Sequence, residues 1–192
     1  MCNYGSVVRY FMSIIIVYHS GYGHTEKQAQ AVAEGSNGVL VKINQEGELS
    51  EKDWSLLDNA TAIIFGSPTY MGMVSWQFKK FADASSKRWF NMDWKDKIAA
   101  GFTNSGSMNG DKGMTISYLI TLAMQHGMVW MGTALMPANQ KDSKRDDINY
   151  LGGFSGLLAQ SPADASAEEA PSIGDLETAR MFGKRIAAYI RS

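Results

Sequence analysis

Short apolar runs and stretches of helical periodicity take turns along this chain. Ser13-Ile-Ile-Ile-Val-Tyr18 is β-branched and uninterrupted by charge, which predicts a buried strand over 13–18. Beyond Thr25 the apolar positions Ala29, Val32 and Ala33 recur at helical spacing and Gly35 supplies a stop, so a helix is expected over about 25–35. Val39-Leu-Val-Lys-Ile43 predicts a second strand, and Trp54 and Leu57, at i and i+3, a short helix over 53–59. A third strand follows at 61–66, then a helix at about 74–86 with Trp76 or Phe78, and Phe81, facing inward. The fourth strand is expected at 97–103, its helix at 113–126 ending on His126-Gly127, and a fifth strand at 128–133. Ser172-Ile-Gly-Asp175 matches the capping pattern S-x-x-[DE] and opens a last helix over about 174–190. Strands that alternate with helices predict an α/β fold, a parallel sheet covered on both faces.

The segment 134–172 breaks this rhythm. It is rich in Gly, Ser, Ala and Pro and carries the charged run Lys141-Asp-Ser-Lys-Arg-Asp-Asp147. So long an irregular stretch inside a compact fold is usually functional or mobile. With Tyr150, Phe154, Leu157 and Leu158 to bury, it is expected to pack over the site or against another subunit; a mobile surface loop is the competing reading. Residues 1–12 are expected to be an N-terminal extension, and 13–192 a single domain.

Composition narrows the function classes. A net charge of −1 gives no electrostatic footprint for nucleic acid. Charged residues are 19%, below the roughly 25% usual for soluble domains, which leans toward a subunit with extra buried surface and so an oligomer. The single cysteine, Cys2, allows no disulfide within one chain and no cysteine metal site, and it fits a reducing, cytoplasmic setting. The apolar runs are strand-sized, so no integral membrane association is expected. No H-E-x-x-H, G-x-S-x-G or paired-carboxylate arrangement supports metal or serine hydrolysis.

The chemistry gathers in three loops. Ser20, Gly21, Tyr22, Gly23, His24 and Thr25 join the first strand to the first helix. A glycine-rich turn feeding a helix N-terminus aims unpaired amides at an anion and adds the helix dipole, and Ser20 and Thr25 add hydroxyls. This loop holds no Lys or Arg, so it would bind phosphate with neutral dipoles. The ATP-type loop is absent, and Glu26 stands where the dinucleotide fingerprint needs its third glycine. Taken alone, the loop also fits an ordinary Ser/Gly-rich turn. Two further loops follow apolar runs: Gly66-Ser-Pro-Thr-Tyr-Met-Gly72 and Thr103-Asn-Ser-Gly-Ser-Met-Asn-Gly110. The carboxyl ends of adjacent parallel strands share one crevice, so three such loops converge on one ligand.

With these motifs in their order, the chain resembles the WrbA-type NAD(P)H:quinone oxidoreductases, within the flavodoxin-like FMN proteins. Ser20-Gly-Tyr-Gly-His-Thr25, Gly66-Ser-Pro-Thr69 with Gly72, Ser105-Gly106, His126-Gly127-Met128 and Gly152-Gly153 ahead of Leu176-Glu-Thr-Ala-Arg180 carry the resemblance. It implies a flavodoxin-like, doubly wound five-stranded sheet of order 2-1-3-4-5, bound FMN, NADH or NADPH as donor, a quinone as acceptor, and a homodimer or homotetramer. It places the FMN phosphate on Ser20 to Thr25. Pro68, Thr69, Tyr70, Met71 and Gly72 would lie along the ring. Thr103, Asn104, Ser105, Gly106, Ser107, Met108 and Asn109 would meet the ring and ribityl chain from the other side. His126 stands at the family's flavin-side histidine and is the catalytic candidate. Trp89 would line the substrate pocket, and Tyr22 would sit near the nicotinamide.

Some positions depart from the family pattern. Pro-Thr-Arg-Phe-Gly is here Pro68-Thr-Tyr-Met-Gly72, which removes a fixed cation near the ring. His-His-Gly is Gln125-His126-Gly127, and Met108-Asn109 replaces a glycine- or glutamine-rich stretch. His126 also has a structural reason to exist, since a helix C-terminus favours an imidazolium. His24 is expected to be structural with a backbone-mediated phosphate contact, and His19 a packed strand-end residue. Trp54 and Trp76 suit core or interface, and Trp89 and Trp94 a pocket wall. In flavin hydride transfer the cofactor carries the chemistry, so no acid–base pair is needed, and one site visited twice gives ping-pong kinetics. The competing functions are an electron-carrying flavodoxin, against which the small net charge argues, and a non-enzymatic FMN-binding regulator.

Overall fold

The computed structural model describes residues 13–192; the expected extension over 1–12 lies outside the described residues. The first strand, β1 (Ile14–Tyr18), is buried along its whole length. It pairs in parallel with β2 (Val39–Lys42) on one side and β3 (Ala62–Tyr70) on the other. β5 (Ile98–Ser105) runs parallel to β3 over seven pairs, Ala62↔Ile98 to Pro68↔Asn104. β4 (Met73–Val74) folds back antiparallel on the end of β3, and β6 (Val129–Trp130) and β7 (Leu157–Gln160) both pair with β5. The five strands expected from the pattern thus lie in the order 2-1-3-4-5, as β2-β1-β3-β5-β6.

Alternation along the strands assigns the two cores. Ile15, Val17, Ile63 and Phe65 face one side of the sheet and pack with Trp54, Phe78, Phe81, Trp94 and Leu119. These come largely from α2 (Glu51–Asp58), α3 (Trp76–Ala84) and α5 (Lys112–Gln125). Ile14, Ile16, Ile64 and Phe102 face the other side and pack with Ala29 and Val32 of α1 (His24–Ser36) and Ala179, Phe182 and Ile186 of α6 (Ile173–Arg191). α1 and α6 touch backbone to backbone. A Cβ at Gly35 would run into the Arg180 carbonyl and one at Gly183 into the Val32 carbonyl.

Four elements differ from expectation. β3 continues to Tyr70 and β5 to Ser105, so much of the second and third loops is strand. Burial explains it: Ser67, Thr69, Thr103 and Asn104 are buried, and a buried backbone must keep its ladder partners. The helix expected over 74–86 is two, α3 and α4 (Ser86–Asn91), and Phe78, not Trp76, turns inward. The fifth strand ends early. Thr133 gives its amide and hydroxyl to the Phe154 and Gly153 carbonyls, not to β5, and the chain leaves the sheet. It returns as β7, which completes the edge of β5 with Phe102↔Leu157 to Ser105↔Gln160. The intervening stretch is tied to α6 by the Arg145 guanidinium on the Asp175 carboxylate and by the Asn149 amide on the Thr178 hydroxyl. Among the described residues, no helix is long and apolar enough to cross a membrane.

Candidate functional site

At the carboxyl ends of β1, β3 and β5 the chain encloses a cavity of about 560 Å³, within the 300–1,000 Å³ range usual for small-molecule sites. The first loop forms one end. Ser20 is buried and its Oγ accepts from the Gly23 and Glu26 amides, at 3.1 and 3.2 Å. Gly23 takes φ 91° at the helix N-cap, a left-handed conformation that favours glycine. Among the described residues this geometry leaves the amides of Tyr22, His24 and Thr25 without an acceptor, since the first turn of a helix has none of its own. Thr25 lines the cavity beside them. His24 donates from Nδ1 to the Ala170 carbonyl at 3.1 Å, and burial lowers its pKa, so it stands there neutral. Lys27 is turned away to Glu168, 2.9 Å off. The donors thus form a neutral dipolar cradle whose size and chemistry fit a terminal phosphate.

The second segment supplies an apolar wall. Pro68, Thr69 and Tyr70 line the cavity, and the Tyr70 ring lies so close over Gly21 that a Cβ there would stand 2.6 Å from its phenol oxygen. Tyr70 and Tyr22 meet edge to face at 6.1 Å. Met71, at φ 48°, is fully exposed at the tip of the turn, beside Gly72. Beneath this wall the Thr69 hydroxyl bonds to those of Thr103 and Thr115, each at 2.8 Å, which locks the ends of β3 and β5 to α5.

The third segment is opposite. Asn104, Ser105 and Gly106 line the cavity, Thr103 is buried under it, and Met108 is exposed on the loop beyond. Lys112 organises this loop. It is 1% exposed, and its ammonium donates to the Ser107 and Met108 carbonyls at 2.6 and 3.1 Å; burial pushes its pKa down to about 8. Sequence reasoning missed it, although a cation at a helix N-terminus, where the dipole opposes it, is itself a signal of another duty. Residues after β7 were missed as well. Ser161 joins Asn104 through reciprocal side-chain bonds, Gln160 Nε2 donates to the Gly106 carbonyl at 2.7 Å, and Pro162, Ala163 and Ala165 line the cavity.

Two expected residues stand elsewhere. His126 caps α5, about 16 Å along the helix axis from Thr115 by the 1.5 Å rise per residue. It is 1% exposed, packs 4.4 Å from Trp94 and shares a 2.9 Å bond between Nε2 and the Ser85 hydroxyl. Burial pushes its pKa down to about 4, so it is a neutral core histidine and not the imidazolium that the helix dipole alone favours. The catalytic candidate His126 thus does not line the cavity of its own chain. Trp89 lies on α4, exposed and outside the cavity lining, and Trp94 is fully buried core, not pocket wall. His19 is buried and bonds the Ser75 hydroxyl at 2.8 Å.

The chain is similar to several known proteins. Residues 51–142 match the family described as NADPH-dependent FMN reductase. The chain is 54% identical to flavodoxin FldP of Pseudomonas aeruginosa, over 90% of this chain and 94% of that protein. It is 35% identical to an NAD(P)H dehydrogenase (quinone) of Geotalea uraniireducens, over 92% and 97%. The crystal structure of a WrbA-like flavodoxin from Agrobacterium tumefaciens matches it with a TM-score of 0.76 at 50% identity, over 94% of this chain and 98% of that one.

Proposed function

The chain belongs to the WrbA-type family of flavodoxin-like FMN proteins, and from that membership we propose that its cavity holds FMN and passes reducing equivalents from NADH or NADPH to a quinone. Bound FMN supplies the redox chemistry, taking a hydride from the nicotinamide and delivering electrons to the acceptor. The protein binds, orients and shields. The amides of Tyr22, His24 and Thr25, with the Thr25 hydroxyl, would hold the phosphate without a cation. Ser20 keeps that loop open by accepting from Gly23 and Glu26. The segment Pro68 to Gly72 would hold the ring from one side, and Thr103 to Asn109, held by Lys112, from the other. Tyr22, 79% exposed, offers a flat surface to the nicotinamide.

The observation that carries the enzymatic reading is a second recess that adjoins the cavity through Tyr70. Its apolar side is made by Tyr70, Met71, Met73, Val74 and Trp76, and Ser75, Lys79, Lys80 and Asp83 complete the lining. A flat, uncharged quinone suits such a surface. Donor and acceptor in turn on one face give ping-pong kinetics. Trp89 and Phe90 stand exposed on α4, with Met92 just beyond it, so these side chains meet a flavin only if a second copy brings them. Such exposed aromatic surface supports a homodimer or homotetramer.

The likeness to a protein named flavodoxin favours a second reading, an electron carrier. A carrier docks through charge, and a net charge of −1 offers little. Oxidation of NADH and NADPH followed with benzoquinone, with and without added FMN, separates the two. FMN-dependent turnover supports the enzyme; no oxidation of either nucleotide supports the carrier.

A further inference from the structure

We propose that His19 is a positioning residue for the flavin ring: through Ser75 it fixes the hairpin of residues 66–75, which walls the cavity. The hairpin is the end of β3 with β4, and two pairs, Thr69↔Val74 and Tyr70↔Met73, join its arms. Pro68, Thr69 and Tyr70 line the cavity, and Tyr70, Met71, Met73 and Val74 line the recess beside it. Toward β5 the hairpin is held by the strand ladder, up to Pro68↔Asn104, and by the Thr69 hydroxyl on Thr103 and Thr115. Toward β1 the support is different. That ladder ends at Tyr18↔Gly66, and β3 runs on beyond it to Tyr70. His19, the residue after β1, takes over. Its amide donates to the Gly66 carbonyl at 3.0 Å, and its Nδ1 shares a 2.8 Å bond with the Ser75 hydroxyl. The Ser75 amide donates to Ser67 Oγ at 3.0 Å, and the Ser67 hydroxyl to the Pro68 carbonyl at 2.9 Å. His19, Ser67 and Ser75 are all buried. One chain of hydrogen bonds thus runs from the end of β1 through the returning arm of the hairpin to its outgoing arm at Pro68.

Neither helix capping nor packing accounts for the imidazole. Ser75 is the N-cap of α3 and accepts from the Phe78 amide at 3.3 Å, a bond that needs no histidine. His19 Nε2 is buried and has no partner among the described residues. An unpaired buried nitrogen costs stability, and a leucine would fill the space without that cost. What the imidazole adds is the link at Nδ1. The phosphate loop begins one residue on, at Ser20, but it is closed by its own bonds from the Gly23 and Glu26 amides. Loss of the link therefore loosens the wall beside the ring and leaves the phosphate cradle intact.

The inference rests on the FMN reading of the cavity, and the test keeps the two apart. Apo-protein of the natural chain, His19→Leu and His19→Asn is titrated with FMN and riboflavin by flavin fluorescence, and amide hydrogen exchange is followed in the same three proteins. His19→Leu should weaken both flavins by the same factor, about threefold to tenfold, because the ring is common to them. The amides of residues 69–75 should exchange faster while those of Ile15, Ile16 and Val17 keep their protection. His19→Asn carries an amide atom at the place of Nδ1 and should restore affinity and protection together. Should His19→Leu fail to fold, Ser67→Ala breaks the same chain at its other end and should give the same two results. A loss confined to FMN would place His19 in the support of the phosphate loop and overturn the proposal. So would faster exchange throughout β1, which marks a general support of the core, an asparagine no better than leucine, or unchanged affinities. Each of these leaves the FMN reading standing. A natural chain that binds neither flavin overturns that reading and this inference with it.

Discussion

Replacing Thr25 by Val removes one oxygen and keeps the shape of a residue that is 2% exposed and lines the cavity. Among the described residues its hydroxyl makes no hydrogen bond, unlike Ser20 Oγ, which accepts two amides. The loop therefore does not depend on it, and the phosphate does. A hydrogen bond to a charged group contributes about 1.5–3 kcal/mol, so Thr25→Val should weaken FMN by about tenfold to a hundredfold. Riboflavin has the same ring and ribityl chain and no phosphate, so its affinity should change less than about twofold, a few tenths of a kcal/mol. Quenching of flavin fluorescence on titration into apo-protein, at fixed ionic strength, gives all four dissociation constants. Their ratio isolates the contact between the hydroxyl and the phosphate. Equal losses for both flavins would mean that Thr25 supports the fold of the site. No loss for either would mean that the phosphate does not lie at this helix N-terminus.

Other consequences are independent of the cofactor. His126 is held neutral, its pKa pushed from 6.5 to about 4, so the unfolded chain binds the extra proton between those values. Stability should therefore fall as pH drops through that window, by on the order of 3 kcal/mol at most. His126→Phe should flatten the profile in urea unfolding; parallel profiles would place His126 in solvent. Lys112, pushed from 10.5 to about 8, has the same sign: the unfolded chain holds more protons, so stability should rise between those pH values. Lys112→Met should abolish that rise and, by freeing the Ser107 and Met108 carbonyls, weaken FMN binding; unchanged binding would remove Lys112 from the loop's support. Light scattering at micromolar concentration should report a dimer or tetramer, whereas a particle of 21 kDa would refute the assembly.

The strand–loop–helix unit around Gly23 was readable because each signal agreed locally: an apolar run, hydroxyls and glycines at the turn, then helical spacing from Thr25. The order of the five main strands was legible for the same reason. What the pattern could not carry was decided by contacts far apart in sequence. Thr69 looks like a loop residue until Thr103 and Thr115 supply its partners, and then it belongs to a strand. The fifth strand splits because Thr133 bonds Gly153 and Phe154, twenty residues on. The irregular segment 134–172 was expected to pack over the site, but Ala163 and Ala165, which line the cavity, carry no chemical signature that singles them out. His126 shows the other side: a helix-end histidine advertises chemistry, while its neighbours within one chain, Trp94 and Ser85, are core.

The central claim, that one flavin serves a nicotinamide and a quinone in turn, is tested most directly by separating the two half-reactions. Holoprotein is mixed anaerobically with one equivalent of NADH or NADPH in a stopped-flow instrument, and the flavin absorbance near its visible maximum is followed. The reduced protein, freed of nucleotide, is then mixed with benzoquinone. The account predicts loss of the flavin band in the first step and its return in the second, each at least as fast as steady-state turnover. A flavin that the nucleotides leave oxidised, or one that returns only while nucleotide remains bound, would contradict it.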